Sequence, residues 1–284
     1  MNTRIFPKIG VEHTLAEVSA NEVKLNIPGY EVVYCKRSST ALIVTFRFMH
    51  SRKSLAEKEH KGWGYEFLKL KDLSALHVIP KGNCWFRRPS LEHFFLELYE
   101  AGFFDRFDQV MTYGGSMGGF GALSFSALTK AKRCLALNPQ INLGPEVRSW
   151  ETRFGAALRQ DWTSELCNID QQINSTETVA VIYDPYERQD RLQAELIHDP
   201  RVQHLRVPFV GHNMPAHLVG MKIASTVFDQ CLNGTIDEYG FAKMVRARRR
   251  LKRYKNRLSQ KAEGNPQRME AIRRFLGGSL VGIE

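Results

Sequence analysis

The chain has 284 residues, 43% of them hydrophobic, which suits one large globular domain with an appendage. Its five cysteines are odd in number and lack C-x-x-C spacing, so neither a disulfide framework nor a zinc site is indicated. The net charge is +10, yet residues 243–274 contain thirteen Lys and Arg against two acids, which leaves 27 basic and 28 acidic residues elsewhere. The excess positive charge therefore belongs to the C-terminal part of the chain.

The hydropathy of the chain bears on where the protein works. Residues 1–8 contain no apolar segment of the length that a signal peptide requires, and no stretch approaches transmembrane length. We therefore expect a soluble, cytoplasmic protein.

Strand-like and helix-like patterns alternate along the chain. Residues 31–35 form the first clear strand pattern, and five later apolar runs are too continuous for half-exposed strands, namely residues 41–46, 75–79, 109–113, 134–137 and 179–183. Helical periodicity occurs at residues 91–99, 117–130 and 216–232. This alternation predicts an α/β fold with a mostly parallel central sheet and helices on both faces.

A serine turn follows the predicted strand 109–113. Residues 114–118 read G-x-S-x-G and open a helical pattern. A tight strand-to-helix turn strains the serine backbone and exposes its hydroxyl, while the helix N-terminus offers N–H groups to a developing negative charge. Ser116 is therefore the predicted nucleophile, and a structural glycine-rich turn is the alternative.

Residues 141–178 interrupt the alternation of strands and helices. They contain Trp150, Phe154 and Trp162 and no convincing strand pattern. Long connections of this kind in compact domains are often functional. We interpret the segment as a lid of short helices over the active site, with ordinary surface packing as the alternative for its aromatic residues.

A nucleophilic serine needs an imidazole to take its proton and an acid to orient that imidazole. His212 follows the apolar stretch 205–210 and precedes the helical pattern 216–232, so a loop at the sheet edge is expected to carry it. It is the predicted base. Its competitors are His198, His204 and His217.

Three carboxylates compete for the role of the acid. Asp184 comes directly after the predicted strand 179–183 and is the first choice. Asp190 is the rival, although an aspartate that opens a helix is often only an N-cap. Glu187 is the third candidate.

The order of Ser116, an aspartate and His212 around a G-x-S-x-G turn resembles the α/β-hydrolase superfamily over residues 23–234. The resemblance implies that the N–H of Met117 is one oxyanion donor. It implies a second donor in the loop after the third strand, near Phe46 and Arg47. The sequence departs from the common pattern there, because no His-Gly or His-Gly-Gly-Gly follows residues 41–45.

The resemblance also implies an activity. We expect a serine hydrolase that acts on an ester-like or acyl substrate through a Ser-His-Asp triad and an acyl-enzyme, or an acyltransferase on the same scaffold. The substrate is expected to be a small molecule or a glycan, and no metal or organic cofactor is implied. Arg47, Trp63 and Trp85 are candidates to line the cleft, because loops that leave strands reach that edge.

The basic C-terminal region forms a predicted extension. Asn233-Gly234 is a good helix stop, so we expect a hydrolase-like domain at residues 1–235 and an extension at 236–284, with helices at 237–262 and 267–276. Apolar residues on one face of its first helix favour docking onto the domain: Phe241, Met244, Val245, Leu251, Tyr254 and Leu258.

The arginines on the other faces allow a different role. Arg248, Arg249, Arg250 and Arg253 are candidates to bind nucleic acid or another polyanion through phosphate-type contacts. A non-catalytic polyanion-binding protein on a hydrolase scaffold is therefore the alternative from another functional class.

Overall fold

The computed structural model describes residues 22–49 and 61–275. The N-terminal segment considered above and the predicted extension from residue 276 onward lie outside these ranges. Within the described residues, eight strands form one sheet: β1 (Glu22–Ile27), β2 (Tyr30–Cys35), β3 (Ala41–Phe46), β4 (Ser74–Pro80), β5 (Gln109–Gly115), β6 (Arg133–Leu137), β7 (Thr178–Tyr183) and β8 (Gln203–Arg206).

The sheet is mostly parallel. Its order is β1-β2-β4-β3-β5-β6-β7-β8, in which the β1–β2 and β2–β4 pairs are antiparallel and every later pair is parallel. The six strands predicted from apolar runs correspond to β2 through β7 within two residues at each end. The predicted α/β architecture is therefore confirmed, and the carboxyl ends of the parallel strands meet at one edge where a site can form.

Helices cover both faces of the sheet. They are α1 (Tyr65–Leu70), α2 (Pro89–Glu100), α3 (Met117–Ser124), α4 (Ile169–Gln172), α5 (Arg188–Ala194), α6 (Met214–Gly220), α7 (Ala224–Leu232), α8 (Glu238–Met244), α9 (Lys252–Gln260) and α10 (Pro266–Phe275). Alternate residues of β3 enter two separate hydrophobic clusters, with Leu42 and Val44 in one and Ile43 in the other. This alternation is what a strand buried on both faces requires.

The segment between β6 and β7 has no strand over residues 141–177, all of which the structure describes. It consists of short 3-10 helices at Pro145–Val147, Gly155–Arg159 and Glu165–Cys167, followed by α4. Trp162 is buried, and its ring packs against Phe120 at 5.3 Å between centroids. The segment is therefore packed on the domain, and its movement as a lid stays a prediction.

Two helices predicted as continuous are broken. The region 216–232 forms α6 and α7, because Lys222 between them has a left-handed backbone with φ 61°. The region 237–262 forms α8, a 3-10 helix at Val245–Arg250, and α9, with the extended residue Leu251 before α9. An amphipathic pattern continues through such breaks, so the sequence did not reveal them.

The C-terminal extension packs against the sheet domain. Phe241 and Val245 are almost fully buried in the cluster that contains Leu205 and Val210. Tyr254 on α9 is also buried and lies edge-on to Phe209, with 6.3 Å between ring centroids. The apolar face predicted for docking therefore contacts the domain, while the domain boundary at residue 235 stays a prediction.

None of the helices in the described ranges combines the length and the apolar character needed to cross a bilayer.

Candidate active site

Ser116 lies in a strained turn between β5 and α3. Its backbone angles are φ 55° and ψ −123°, a conformation that side-chain-bearing residues rarely adopt. The turn is held by a hydrogen bond from the N–H of Ser116 to the carbonyl of Leu137, at 2.8 Å. The hydroxyl is thereby presented at the carboxyl end of the parallel strands.

Glycines make this turn possible because neighbouring atoms fill the space that a side chain would need. A Cβ on Gly114 would lie 2.0 Å from the carbonyl oxygen of Gly118. A Cβ on Gly118 would lie 2.1 Å from the carbonyl oxygen of Phe46. The G-x-S-x-G pattern therefore has a steric basis in the close approach of β3, β5 and α3.

The hydroxyl of Ser116 lies next to the imidazole of His212. Its Oγ is 3.1 Å from Nε2 of His212, and Nδ1 of the same ring is 2.8 Å from Oδ2 of Asp190. A carboxylate can only accept hydrogen bonds, so the contact with Asp190 places the ring proton on Nδ1. That tautomer leaves Nε2 as an acceptor for the hydroxyl proton of Ser116.

The structure corrects the preference for Asp184 as the partner of His212. The Oδ1 of Asp184 accepts the N–H groups of Tyr186 and Phe209, and its Oδ2 accepts those of Val210 and Gly211. These bonds are 2.6 to 3.0 Å long, and the carboxylate is fully buried. Asp184 therefore binds the backbone of the loop that precedes His212, not its ring.

Asp190 lies on α5, the helix that follows β7 and Asp184. It lies in the first turn of α5, and its side chain is fully buried. Glu187, the third acid candidate, instead pairs with Arg257 at 2.8 Å. Of the three candidate acids, it is Asp190 that contacts His212.

A cation from the 141–177 segment shares the carboxylate of Asp190. Arg153 donates from Nη1 to Oδ1 of Asp190 at 2.6 Å and from Nε and Nη2 to Glu151 at 2.9 and 2.6 Å. Burial alone would lower the pKa of Arg153, but hydrogen bonds to Glu151 and Asp190 raise it above its usual value. Arg153 therefore stays charged between two buried carboxylates.

Two amide side chains after β6 also contact the catalytic candidates. Gln140 donates from Nε2 to the carbonyl of Asn138 at 3.1 Å, which turns its Oε1 toward Ser116 at 3.2 Å. The Nδ2 of Asn138 lies 3.0 Å from Nδ1 and 3.1 Å from Nε2 of His212, so it rests against the ring. Neither residue was predicted from the sequence, although their position directly after a parallel strand was an available signal.

The structure supports one of the three predicted oxyanion donors better than the other two. Met117 begins α3, and the first N–H groups of a helix have no partner within the helix. Arg47 does not qualify through its backbone, because its N–H donates to the carbonyl of Val78 at 3.2 Å. Phe46 is fully buried among aromatic rings, and its carbonyl faces Gly118. The Met117 N–H stays a prediction, and a second donor must be sought beyond Arg47.

A cavity of about 360 Å³ opens above Ser116 and His212. Its walls are mainly apolar and include Phe48, Met49, Trp63, Phe154 and Pro215. Trp63 crosses Gly115 so closely that a Cβ there would lie 2.3 Å from its ring. The predicted cleft position of Trp63 thus agrees with the geometry, and Phe154 brings the 141–177 segment to the same cavity.

Trp85 and Arg47 do not line this cavity. Trp85 is fully buried in the core, where its ring meets Phe154 edge-on at 5.6 Å. Arg47 donates from Nη1 to the carbonyl of Lys61 at 3.2 Å. The cleft prediction for these two residues is therefore corrected, and Trp85 supports the wall residue Phe154 from behind.

Three of the four arginines proposed for polyanion binding have contacts within the protein. Arg253 donates from Nε to the carbonyl of Val210, and Arg248 donates to the carbonyl of Val245. Arg249 lies over the ring of Phe275 at 4.5 Å, whereas Arg250 is exposed. Polyanion binding stays a prediction, and Arg253 has an internal contact that the prediction did not include.

No protein-family model matches the chain. No curated protein matches its sequence either.

Solved structures share the fold. The capsule O-acetyltransferase of Neisseria meningitidis serogroup A is 12% identical with a TM-score of 0.51, over 72% of this chain and 94% of that chain. The Glycosylation Associate Protein (Gap123) complex from Streptococcus agalactiae is 17% identical with a TM-score of 0.52, over 76% of this chain and 47% of that chain. At these identities the likeness concerns the fold. With the sheet order β1-β2-β4-β3-β5-β6-β7-β8 and a serine turn after β5, the chain has the fold of the α/β-hydrolase superfamily.

Proposed function

We propose that this protein is a serine hydrolase that cleaves an ester-like acyl substrate through an acyl-enzyme on Ser116. The observation that carries the proposal is the chain of contacts from Ser116 Oγ to His212 Nε2 at 3.1 Å and from His212 Nδ1 to Asp190 at 2.8 Å. Nucleophile, base and orienting acid are thus within hydrogen-bond reach of one another, as acyl transfer requires.

The reaction begins when the substrate carbonyl enters the cavity above Ser116. His212 accepts the hydroxyl proton at Nε2 while Oγ attacks the carbonyl carbon, and Asp190 stabilises the imidazolium through Nδ1–H. The N–H of Met117 donates to the developing oxyanion at the start of α3. His212 then gives the proton to the leaving alkoxide. In the second half, Nε2 takes a proton from a water molecule that attacks the acyl carbon and passes it to Oγ of Ser116 as the ester bond breaks and the acid leaves.

We assign the role of second oxyanion donor to the backbone N–H of Phe48. The N–H of Arg47 is occupied by Val78, and Phe48 is the next residue and lies in the cavity wall. One donor of this type is worth about 2.7–4 kcal/mol in the transition state. The apolar lining from Phe48, Trp63 and Phe154 suits the hydrocarbon part of an acyl group.

Labelling with a fluorophosphonate probe tests the nucleophile. We expect one modified peptide that contains Ser116, and no labelling of the Ser116→Ala variant, whose free energy of unfolding should stay within about 1 kcal/mol of the parent. The His212→Ala variant should fold and react much more slowly, because it lacks the base. Labelling of Ser116→Ala at the parental rate would refute the proposal.

Acyl transfer to an alcohol acceptor would pass through the same acyl-enzyme as hydrolysis. The two reactions are therefore distinguished by their products. The protein is given p-nitrophenyl acetate with and without an oligosaccharide acceptor, and free acetate and acetylated oligosaccharide are measured. If the protein is a hydrolase, the oligosaccharide should not reduce the amount of free acetate released. Acetylated oligosaccharide formed only in the presence of Ser116 would assign the acyltransferase reaction instead.

A further inference from the structure

The backbone of Val210, two residues before His212, is held through both its N–H and its carbonyl. Its N–H donates to Oδ2 of Asp184 at 2.8 Å, and its carbonyl accepts from Nε of Arg253 at 3.0 Å. Asp184 belongs to the sheet domain directly after β7, whereas Arg253 belongs to α9 of the C-terminal extension. Both polar groups of this residue are therefore satisfied by side chains from different parts of the fold.

Gly211, which directly precedes His212, is enclosed by the same two parts. It has φ +82°, donates from N–H to Asp184 at 2.6 Å, and approaches Arg257 so closely that a Cβ would lie 2.9 Å from the guanidinium carbon. Arg257 is itself fixed by Glu187, at 2.8 Å from Nη2 to Oε2. The backbone before His212 thus has Asp184 on one side and the Arg257 guanidinium on the other.

Aromatic contacts extend this arrangement to Phe209. Its backbone is left-handed with φ 65°, and its ring stacks on Tyr186 with 3.9 Å between centroids. Tyr254, on α9 between the two arginines, meets the ring of Phe209 edge-on. Three successive loop residues therefore contact α9 or its partners, and the left-handed backbone of Phe209 is one that a residue other than glycine keeps only with outside support.

We infer that helix α9 positions the catalytic histidine, with Arg253 and Arg257 holding the Val210–Gly211 backbone so that His212 Nε2 stays within reach of Ser116. This inference rests on the proposed role of His212. The two arginines are positioning residues, since they contact the loop and not the substrate or the reacting atoms. Part of the basic extension then has a function that requires no polyanion.

Electrostatics explains why this support consists of arginine. Asp184 is fully buried and Glu187 is half-buried, and the guanidinium of Arg257 lies 2.8 Å from Glu187 and 3.8 Å from Asp184. A planar guanidinium can bind a carboxylate with one edge while its face covers the glycine. An uncharged side chain at position 257 would leave both carboxylates without this cation.

The inference is tested with a pair of charge-matched variants of the full-length protein. Arg253→Gln/Arg257→Gln removes both contacts with the loop. Arg246→Gln/Arg250→Gln removes the same charge from two exposed arginines of the preceding 3-10 helix. We expect the first variant to lower kcat for p-nitrophenyl acetate by about 10- to 100-fold, the effect of a small displacement of a catalytic group. The control should remain within about twofold, since exposed surface substitutions change little.

A double-mutant cycle with His212 separates positioning from general loosening of the fold. In the His212→Ala background the residual, serine-dependent rate is measured with and without Arg253→Gln/Arg257→Gln. Positioning through His212 predicts less than about a twofold further loss there, because the group that was held is already absent. An equal loss in both backgrounds would overturn the inference and assign the arginines a purely structural role.

The remaining outcomes are also decisive. If Arg253→Gln/Arg257→Gln matches its control while Ser116→Ala and His212→Ala are inactive, the inference fails and the proposed function stands. If Ser116→Ala and His212→Ala keep full activity, the proposed function itself fails. Thermal unfolding is recorded for every variant, and Arg253→Gln alone replaces the double variant if that one does not fold, because Arg253 is exposed.

Discussion

Arg153 donates to Asp190 at 2.6 Å, on the same carboxylate that contacts His212. The side chains of Asp190 and Glu151, its two acceptors, are 0% and 1% exposed. Removing one partner from a buried ion pair costs about 3–5 kcal/mol, because the remaining charge is left uncompensated. We therefore expect Arg153→Met to lower the free energy of unfolding by about this amount, measured by urea denaturation.

The double variant Arg153→Met/Glu151→Met serves as the matched control. It removes the uncompensated charge of Glu151 together with the cation, so part of the lost stability should return, while Asp190 keeps only its contact with His212. Asp190 still contacts His212 in both variants, and kcat should fall far less than in Asp190→Asn. A double variant that is less stable than Arg153→Met would show that the cost has another origin.

Asp184 and Asp190 differ in what each carboxylate binds, so their variants should behave differently. Asp190→Asn keeps the shape of the side chain but no longer selects the tautomer with the proton on Nδ1. A change of this kind lowers turnover by about 10⁴-fold in serine proteases. We expect a fall in kcat of this order with a folded protein, measured with p-nitrophenyl acetate.

Asp184→Asn should instead lower stability. Its amide NH₂ would face at least one pair of backbone N–H donors that the carboxylate now accepts, and two unpaired buried donors cost about 2 to 6 kcal/mol. Urea denaturation measures this loss. An Asp184→Asn variant that is as stable as the parent and inactive would return the catalytic role to Asp184.

The sequence identified Ser116 and His212, which the structure brings into contact, but it ranked Asp184 ahead of Asp190 as the partner of His212. Ser116 and His212 were identifiable because the turn chemistry and the chain order are local. Asp184 and Asp190 are only six positions apart, and the choice between them depends on which carboxylate reaches the imidazole of His212, more than twenty residues later in the chain. Arg153 approaches Asp190 only through the tertiary fold, so no local pattern indicated it.

The sheet was more predictable than the helices that pack on it. The strand β3 is buried on both faces and therefore reads as a continuous apolar run. The break between α6 and α7 depends on the left-handed Lys222, a residue with no special preference for that conformation. Trp85 was expected in the cleft because its loop leaves a strand, but its ring is buried in the core.

His77 should make the stability of the protein depend on pH. It lies on β4 with its Nδ1 2.6 Å from the hydroxyl of Thr45, and burial lowers its pKa from 6.5 to about 4. Glu22 raises this pKa and Arg37 lowers it, but burial dominates.

The unfolded chain therefore binds a proton at His77 before the folded protein does. Its stability should be unaffected by this group above about pH 6.5 and should fall as the pH drops toward 4. The slope is about 1.4 kcal/mol per pH unit, a total of about 3 kcal/mol.

Urea denaturation between pH 4.5 and 7.5 measures this slope. In His77→Gln the part of the slope due to His77 should vanish, whatever the change in stability at pH 7.5. His198→Gln is the comparison variant, because it removes a histidine whose side chain is 77% exposed rather than buried. An unchanged slope in His77→Gln would mean that another group causes the acid sensitivity.

Two aromatic residues of α8 test whether the C-terminal extension is part of the folded domain. Phe241 is 1% exposed within the cluster that includes Leu205 and Val207, whereas Tyr239 is 72% exposed. Removing a buried phenyl ring costs about 3–5 kcal/mol through lost burial and the cavity that remains. We therefore expect Phe241→Ala to lower the free energy of unfolding by this amount, and Tyr239→Ala to change it by only about 0.5 kcal/mol. Because α9 follows α8 closely, Phe241→Ala should also slow fluorophosphonate labelling of Ser116. Two variants of equal stability would instead mean that the extension does not share the hydrophobic core of the domain.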